Sequence, residues 1–367
     1  MKAQGRLSCL AGQIYSRAKK ITLMKKRYAL IGLLALQALS ARSQDAHFSQ
    51  YFVSPLSVNP GLTGFMDGTA RAMVNHRSQW SSINNAFSTT TASLDGIILQ
   101  SKLPAGDRLG IGLMAMNDRV ADGLLTNNYV SASTAYHKAL DKEGNYSIGV
   151  GLQGTYAQRS IDGTKLLFDD QLDPYGQFSQ TSKDAGSGNN GLRRNYFDAA
   201  AGIVFKARFN ERNQFYLGAS AFHLAAPKVT FMNNTQLTVP TRLTINGVYE
   251  ARLADMFSIS LLGLYTKQEE ASEGVFGAIM TIGRSYREFD KTPVFYAGLL
   301  YRTNDAYIPY VAAEYWDMRF GFSYDVNSSA LSAATKGQGG IEVSLVYLLR
   351  IPPNKKIQYL CPNNPKF

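Results

Sequence analysis

The chain has 367 residues, 45% of them hydrophobic, with a mean hydropathy of −0.16. This excludes a bundle of membrane-spanning helices but suits either a soluble protein or a transmembrane barrel, where only the lipid-facing half of each strand is apolar. The formal charge of +11 does not mark a nucleic-acid partner, because Lys2, Arg6, Arg17, Lys19, Lys20, Lys25, Lys26, Arg27 and Arg42 all precede residue 44 with no acid among them, leaving the rest near +2.

Taken in order, the chain opens on a targeting pattern. Lys25-Lys26-Arg27 is a basic n-region, residues 28–39 are apolar over about twelve positions, and Ala41-Arg42-Ser43 puts small residues at −3 and −1 for cleavage before Gln44. This predicts a secretory signal that starts at Met24, with residues 1–23 an upstream extension. The apolar stretch is short for a membrane-spanning helix. Of two cysteines, Cys9 lies in the segment expected to be lost and Cys361 is near the end, so no internal disulfide framework is expected. One cysteine and four scattered histidines (His47, His76, His137, His223) do not make a metal site.

From residue 69 the sequence reads as segments of about ten residues separated by Gly, Asn, Asp and Pro. They fall at 69–80, 87–98, 108–118, 129–140, 145–158, 196–208, 214–225, 241–253, 256–267, 274–283, 293–302, 307–316, 318–326 and 339–349. Alternation is clearest in 318–326, where Phe320, Phe322 and Tyr324 alternate with Gly321, Ser323 and Asp325. In the last segment Ile341, Val343, Leu345, Tyr347 and Leu349 oppose Glu342 and Ser344, although Val346 and Leu348 break the pattern. Segments of this length cross a bilayer when tilted, whereas a soluble sandwich has shorter strands. Together with the signal, this predicts an all-β, transmembrane outer-membrane β-barrel of about fourteen antiparallel strands. The 21 tyrosines, 19 phenylalanines and 32 glycines fit aromatic girdles and close backbone packing. One long loop, 159–195, is expected on the outer side, and no helix is expected.

Catalytic chemistry is not legible. Asp169, Asp170 and Asp173 lack the glycine turn and terminal glutamate of a calcium loop and read as a solvated loop. Gly110-Ile111-Gly112 lies inside a strand with no helix following, so it is not a dinucleotide fingerprint. No nucleophile elbow, zinc motif or phosphate loop occurs, and neither an enzyme nor a cofactor is expected. His76 and Arg77 are candidates for a lumen-facing pair with an acidic strand neighbour.

The run His47-Phe48-Ser49-Gln50-Tyr51, then Pro55-Leu56, Asn59-Pro60, Thr63-Gly64, Arg71, Asn75-His76-Arg77 and Gln79-Trp80, resembles the N-terminus of the PorP/SprF family of the Bacteroidota type IX secretion and gliding apparatus. Leu109-Gly110-Ile111-Gly112, Asp118-Arg119, Ala135-Tyr136-His137, the 167–173 run and Gly339-Ile341-Glu342 extend the likeness along the chain. The resemblance implies a non-catalytic outer-membrane barrel that supports secretion or surface attachment of an adhesin-like cargo. It also implies contact with periplasmic, peptidoglycan-associated linker proteins and with outer-membrane lipid.

Residues 1–43 are then extension plus signal, 44–68 an extended periplasmic segment, 69–350 the barrel and 351–367 a periplasmic tail. His47, Phe48, Gln50, Tyr51, Phe52, Pro55, Asn59 and Pro60 are expected to form an internal plug, to bind a partner as a strand, or to pack on the rim. The tail carries Cys361, Pro362 and Phe367, with three residues inserted relative to the family's compact ending. The competing reading is an outer-membrane diffusion channel for small solutes, which would need a ring of charges around an open bore.

Overall fold

The computed structural model describes residues 45–350 apart from 81–85, 174, 176, 180, 184–191, 232–236, 284–291, 330–331 and 333–336. The predicted signal and the tail residues Cys361, Pro362 and Phe367 lie outside the described residues. The chain divides into two units, Met1–Asp45 and Ala46–Phe367, and the second is the barrel.

Fourteen strands form it: β1 Ala70–Gln79, β2 Phe87–Ile98, β3 Arg108–Val120, β4 Leu125–Ala139, β5 Tyr146–Ile161, β6 Arg193–Arg208 and β7 Asn213–Phe222 in the first half. The second half is β8 Arg242–Ala254, β9 Phe257–Gln268, β10 Ala271–Ile282, β11 Val294–Arg302, β12 Ala306–Tyr315, β13 Met318–Asn327 and β14 Gln338–Leu349. Each strand pairs antiparallel with its neighbour in sequence, and β1 pairs with β14, so the sheet closes. Closure satisfies every edge, which a sheet in hydrocarbon requires.

Because fourteen is even, β1 begins and β14 finishes at one end, with Ala70 opposite Leu349; this is termed the near end. Most turns there are short, as at 209–212, 255–256 and 316–317, with 283–293 the longest. Trp316 (φ 51°) and Asp317 (φ 62°) are both left-handed, as a two-residue hairpin turn needs, so Trp316 belongs to the turn and not to the predicted strand. The longest connections, 162–192 and 223–241, lie at the far end. Leu113, Val130, Leu152, Leu299 and Val311 point outward and are exposed, forming an apolar band. Aromatics flank it: Tyr136, Tyr249 and Tyr315 toward the near end, Tyr156, Tyr301 and Tyr307 toward the far end.

The segment expected to run extended to residue 68 does not do so. Tyr51–Val53, Pro55–Val58 and Pro60–Leu62 are short helical turns inside the barrel, and residues 48–56 are all buried. Two prolines explain the shape: Pro55 and Pro60 each start a turn, where the missing N–H is harmless, and the Asn59 side chain caps the last turn by accepting the Gly61 N–H. Burial of Phe48, Tyr51, Phe52 and Leu56 supplies the driving force.

Candidate functional site

The lumen and the segment that fills it form the candidate site. Residues 47–69 thread the barrel from end to end. His47 sits at the far mouth, where its carbonyl accepts from Arg77 Nη1 (2.6 Å) and its Nε2 lies 3.2 Å from Glu273 Oε2. Thr69 leaves at the near end, its N–H bonded to the Leu349 carbonyl.

The far half of the plug is held by charge. Glu342, on β14, accepts the Ser49 N–H (2.8 Å), the Gln50 N–H (2.9 Å) and Asn75 Nδ2 (2.7 Å). Asp325, on β13, accepts the Ser49 hydroxyl (2.7 Å), Arg77 Nη2 (2.7 Å) and Arg302 Nη1 (2.9 Å). Gln50 is fully buried and uses both ends of its amide: Nε2 donates to Ser323 Oγ and the Glu342 carbonyl, and Oε1 accepts from Ser344. Buried charges are tolerable only when paired and bonded in this way.

The near half is held by close contact. Asn59 Nδ2 donates to the Ile203 carbonyl (3.0 Å) and Asn246 Oδ1 (3.2 Å). Inward-facing glycines make room: a Cβ on Gly110 would collide with the Thr63 carbonyl, one on Gly151 with Pro60, and one on Gly202 with the Asn59 side chain. Thr63 Oγ1 donates to Ser133 (2.9 Å), and His137 Nε2 donates to the Thr63 carbonyl (2.9 Å). Asp95 accepts the Gly64 N–H (2.9 Å) while its two oxygens take Arg71 Nε and Nη2 at 3.1 and 2.9 Å. At the exit Arg350 Nε donates to the Asp67 carbonyl, and the same guanidinium pairs with Asp317.

The two sides of the lumen differ. Facing β8–β12 the plug meets an apolar core, in which Tyr51, Phe52, Val58 and Phe65 join Val248, Leu262, Ile279, Tyr296, Leu300, Ile308 and Tyr310. Phe52 meets Tyr310 edge to face at 5.3 Å. Facing β1–β5, β13 and β14 the wall is polar, with Asn75, Thr91, Asp95, Ser133, Gln153, Ser323 and Ser344 all buried.

Phe48, Gln50, Tyr51, Phe52, Pro55, Asn59 and Pro60 therefore all lie inside the barrel, with His47 at its mouth. Arg77 faces inward as expected, but His76 points outward to Thr90 Oγ1 (2.8 Å), because successive strand residues face opposite sides. The acidic loop is a set of turn caps: Asp173 Oδ1 accepts the Tyr175 and Gln177 N–H groups and Asp170 accepts that of Lys183. Sequence reasoning missed Asp95, Glu273, Arg302 and the wall glycines as plug contacts. Lone charges on the inward parity of a strand were the available signal.

Fold and lumen together define a transmembrane β-barrel of the outer-membrane type, closed by its own N-terminal segment. Residues 40–347 match the family described as type IX secretion system membrane protein PorP/SprF, and the chain belongs to that family. No curated protein matches the sequence. Among solved structures, the Pseudomonas putida toluene transporter TodX is similar at 8% identity and TM-score 0.45, covering 80% of this chain and 92% of its own. The Ralstonia pickettii toluene transporter TbuX is similar at 11% identity and TM-score 0.44, covering 80% and 92%. A Pseudomonas aeruginosa FadL homologue is similar at 11% and 0.43, covering 79% and 92%.

Proposed function

We propose that this barrel is a non-catalytic scaffold of the type IX secretion and gliding machinery. In this reading it supports secretion or surface attachment of an adhesin-like cargo and contacts peptidoglycan-associated linker proteins in the periplasm. The observation that carries the reading is the filled lumen: the chain's own segment packs as a protein core against β8–β12, where a diffusion channel would present an aqueous bore. Family membership supplies the secretion context.

The near end, with its short turns, faces the periplasm and the far end, with its long connections, faces outward. The chain then leaves β14 on the periplasmic side, which offers residues 351–367, with Cys361, Pro362 and Phe367, to a linker protein. His47 and its neighbours open toward the surface. Export uses the N-terminal signal, with cleavage near Ser43 and Gln44.

The test is a tag in loop 182–191, extraction from outer membranes in mild detergent, and identification of what co-purifies. Recovery of a peptidoglycan-associated protein and an adhesin, the former lost on deleting 351–367, supports the scaffold. A partner-free barrel that conducts ions in planar bilayers overturns it and promotes the channel.

A further inference from the structure

At the far mouth, away from the plug, two arginines stand side by side. Arg159 on β5 and Arg194 on β6 are direct partners in the antiparallel register. Residues so paired share one face, with Cβ atoms roughly 4.5–5.5 Å apart. Two-residue periodicity places them on the face of Gln153 and Ala157 on β5 and of Ala200 and Gly202 on β6, which are buried in the lumen. The pair therefore faces the mouth and not the lipid.

Like charges opposite one another repel. Among the described residues, no carboxylate pairs with either. The acids on this wall have other partners: Asp118, in the same cross-strand row, takes Thr89 Oγ1 (2.8 Å) and Asn127 Nδ2 (3.1 Å). Asp198, further down β6, takes His223 Nδ1 (2.6 Å). Arg194 Nε donates to the Lys228 carbonyl (3.3 Å), a neutral acceptor that leaves its charge unpaired among the described residues. Arg159 Nε is buried and has no hydrogen-bond partner.

We infer that Arg159 and Arg194 form an oxyanion site, taking a phosphate, sulphate or carboxylate group carried by a soluble molecule at the far mouth. Two planar guanidinium forks set side by side match such a group, and its charge removes the repulsion between them. The inference stands on this geometry and is independent of the secretion reading.

The test uses the full chain in detergent, with thermal unfolding followed in chloride and then with phosphate, sulphate or acetate added at constant ionic strength. A bound anion raises the midpoint in proportion to occupancy. The wild type is expected to rise. Arg159→Gln and Arg194→Gln are each expected to unfold no earlier than wild type in chloride, since the repulsion is gone. Each should bind the anion about ten-fold more weakly or worse, the loss of one charge-assisted hydrogen bond. Arg193→Gln, on the opposite face of β6, should respond as wild type. A response to phosphate and sulphate alone assigns a tetrahedral ligand, and a response to acetate assigns a carboxylate. No response in the wild type, or an equal response in all three variants, overturns the site.

Discussion

Glu342 offers the sharpest test of how the plug is held. Its carboxylate accepts two adjacent backbone N–H groups, from Ser49 and Gln50, and the Asn75 amide, all within 2.7–2.9 Å and all buried. Glu342→Ala leaves three buried donors without an acceptor. Each orphaned donor costs about 1–3 kcal/mol, and breaking a buried charged partnership from one side costs about 3–5 kcal/mol. The effects share one site and do not add, so the expected loss is about 4 kcal/mol, a large part of a typical domain's stability. Glu342→Gln keeps the shape and one acceptor oxygen but turns an NH2 toward a donor, so it should lose about half as much. The assay is reversible urea unfolding of the refolded barrel in detergent micelles, with limited proteolysis of residues 47–53 in parallel. A loss under about 1 kcal/mol for the alanine variant, with the plug still protected, would refute the idea that this carboxylate anchors it.

Three other expectations follow from the geometry. Gly151→Ala drives a Cβ into Pro60 and should cost about 1–3 kcal/mol of overpacking, whereas Gly154→Ala, whose Cβ meets nothing, should lie within about 0.5 kcal/mol of wild type in the same unfolding assay. Ala46→Cys, made with Cys361→Ser, should react on intact cells with a membrane-impermeant maleimide, because the plug starts at the far mouth; protection on cells with reaction in lysates would reverse the assigned orientation. Asp107, just before β3, is opposed by burial, but the Tyr136 hydroxyl (2.5 Å), Lys138 ammonium (2.9 Å) and Ala139 N–H (2.9 Å) outweigh it and hold the carboxyl below its ordinary range. A depressed folded-state pKa gives stability that is present above the unfolded value of about 4 and is lost as pH falls through the folded value. Asp107→Asn should therefore be less stable than wild type at pH 7, and the gap should close in acid; a gap constant across that range would contradict the assignment.

Strand existence was legible because it depends on local pattern. All fourteen predicted segments overlap observed strands, and 87–98 matches to the residue. Boundaries moved most where strands rise beyond the apolar band: β4 starts at Leu125 and β6 at Arg193, each extended by far-end pairing with β5. The aromatic and proline content of 47–60 marked those residues as special, and the asparagine–proline and serine–proline pairs carry the turn chemistry seen. Their place inside the barrel was not legible, because nothing local says which wall a short helical turn will meet.

The sequence by itself determined a strand-built chain, its strand number and its family, since periodicity, turn residues and motif all act over a few residues. Only the tertiary structure decided what the lumen is. In β11, Val294, Tyr296 and Leu300 face inward while Phe295 and Leu299 face lipid, so the strand is apolar on both faces and shows no alternation to read. A polar inner face would have lined a water-filled bore, but this one packs on Phe52 and its neighbours. Glu342, Asp325 and Arg302 meet Ser49, and Arg77 meets the His47 carbonyl and Asp325, only because closure brings β1, β11, β13 and β14 around one mouth. Contacts across nearly 300 positions of chain (|i−j| of 293 for Ser49 and Glu342) are set by the register of a closed sheet, which no short-range signal encodes.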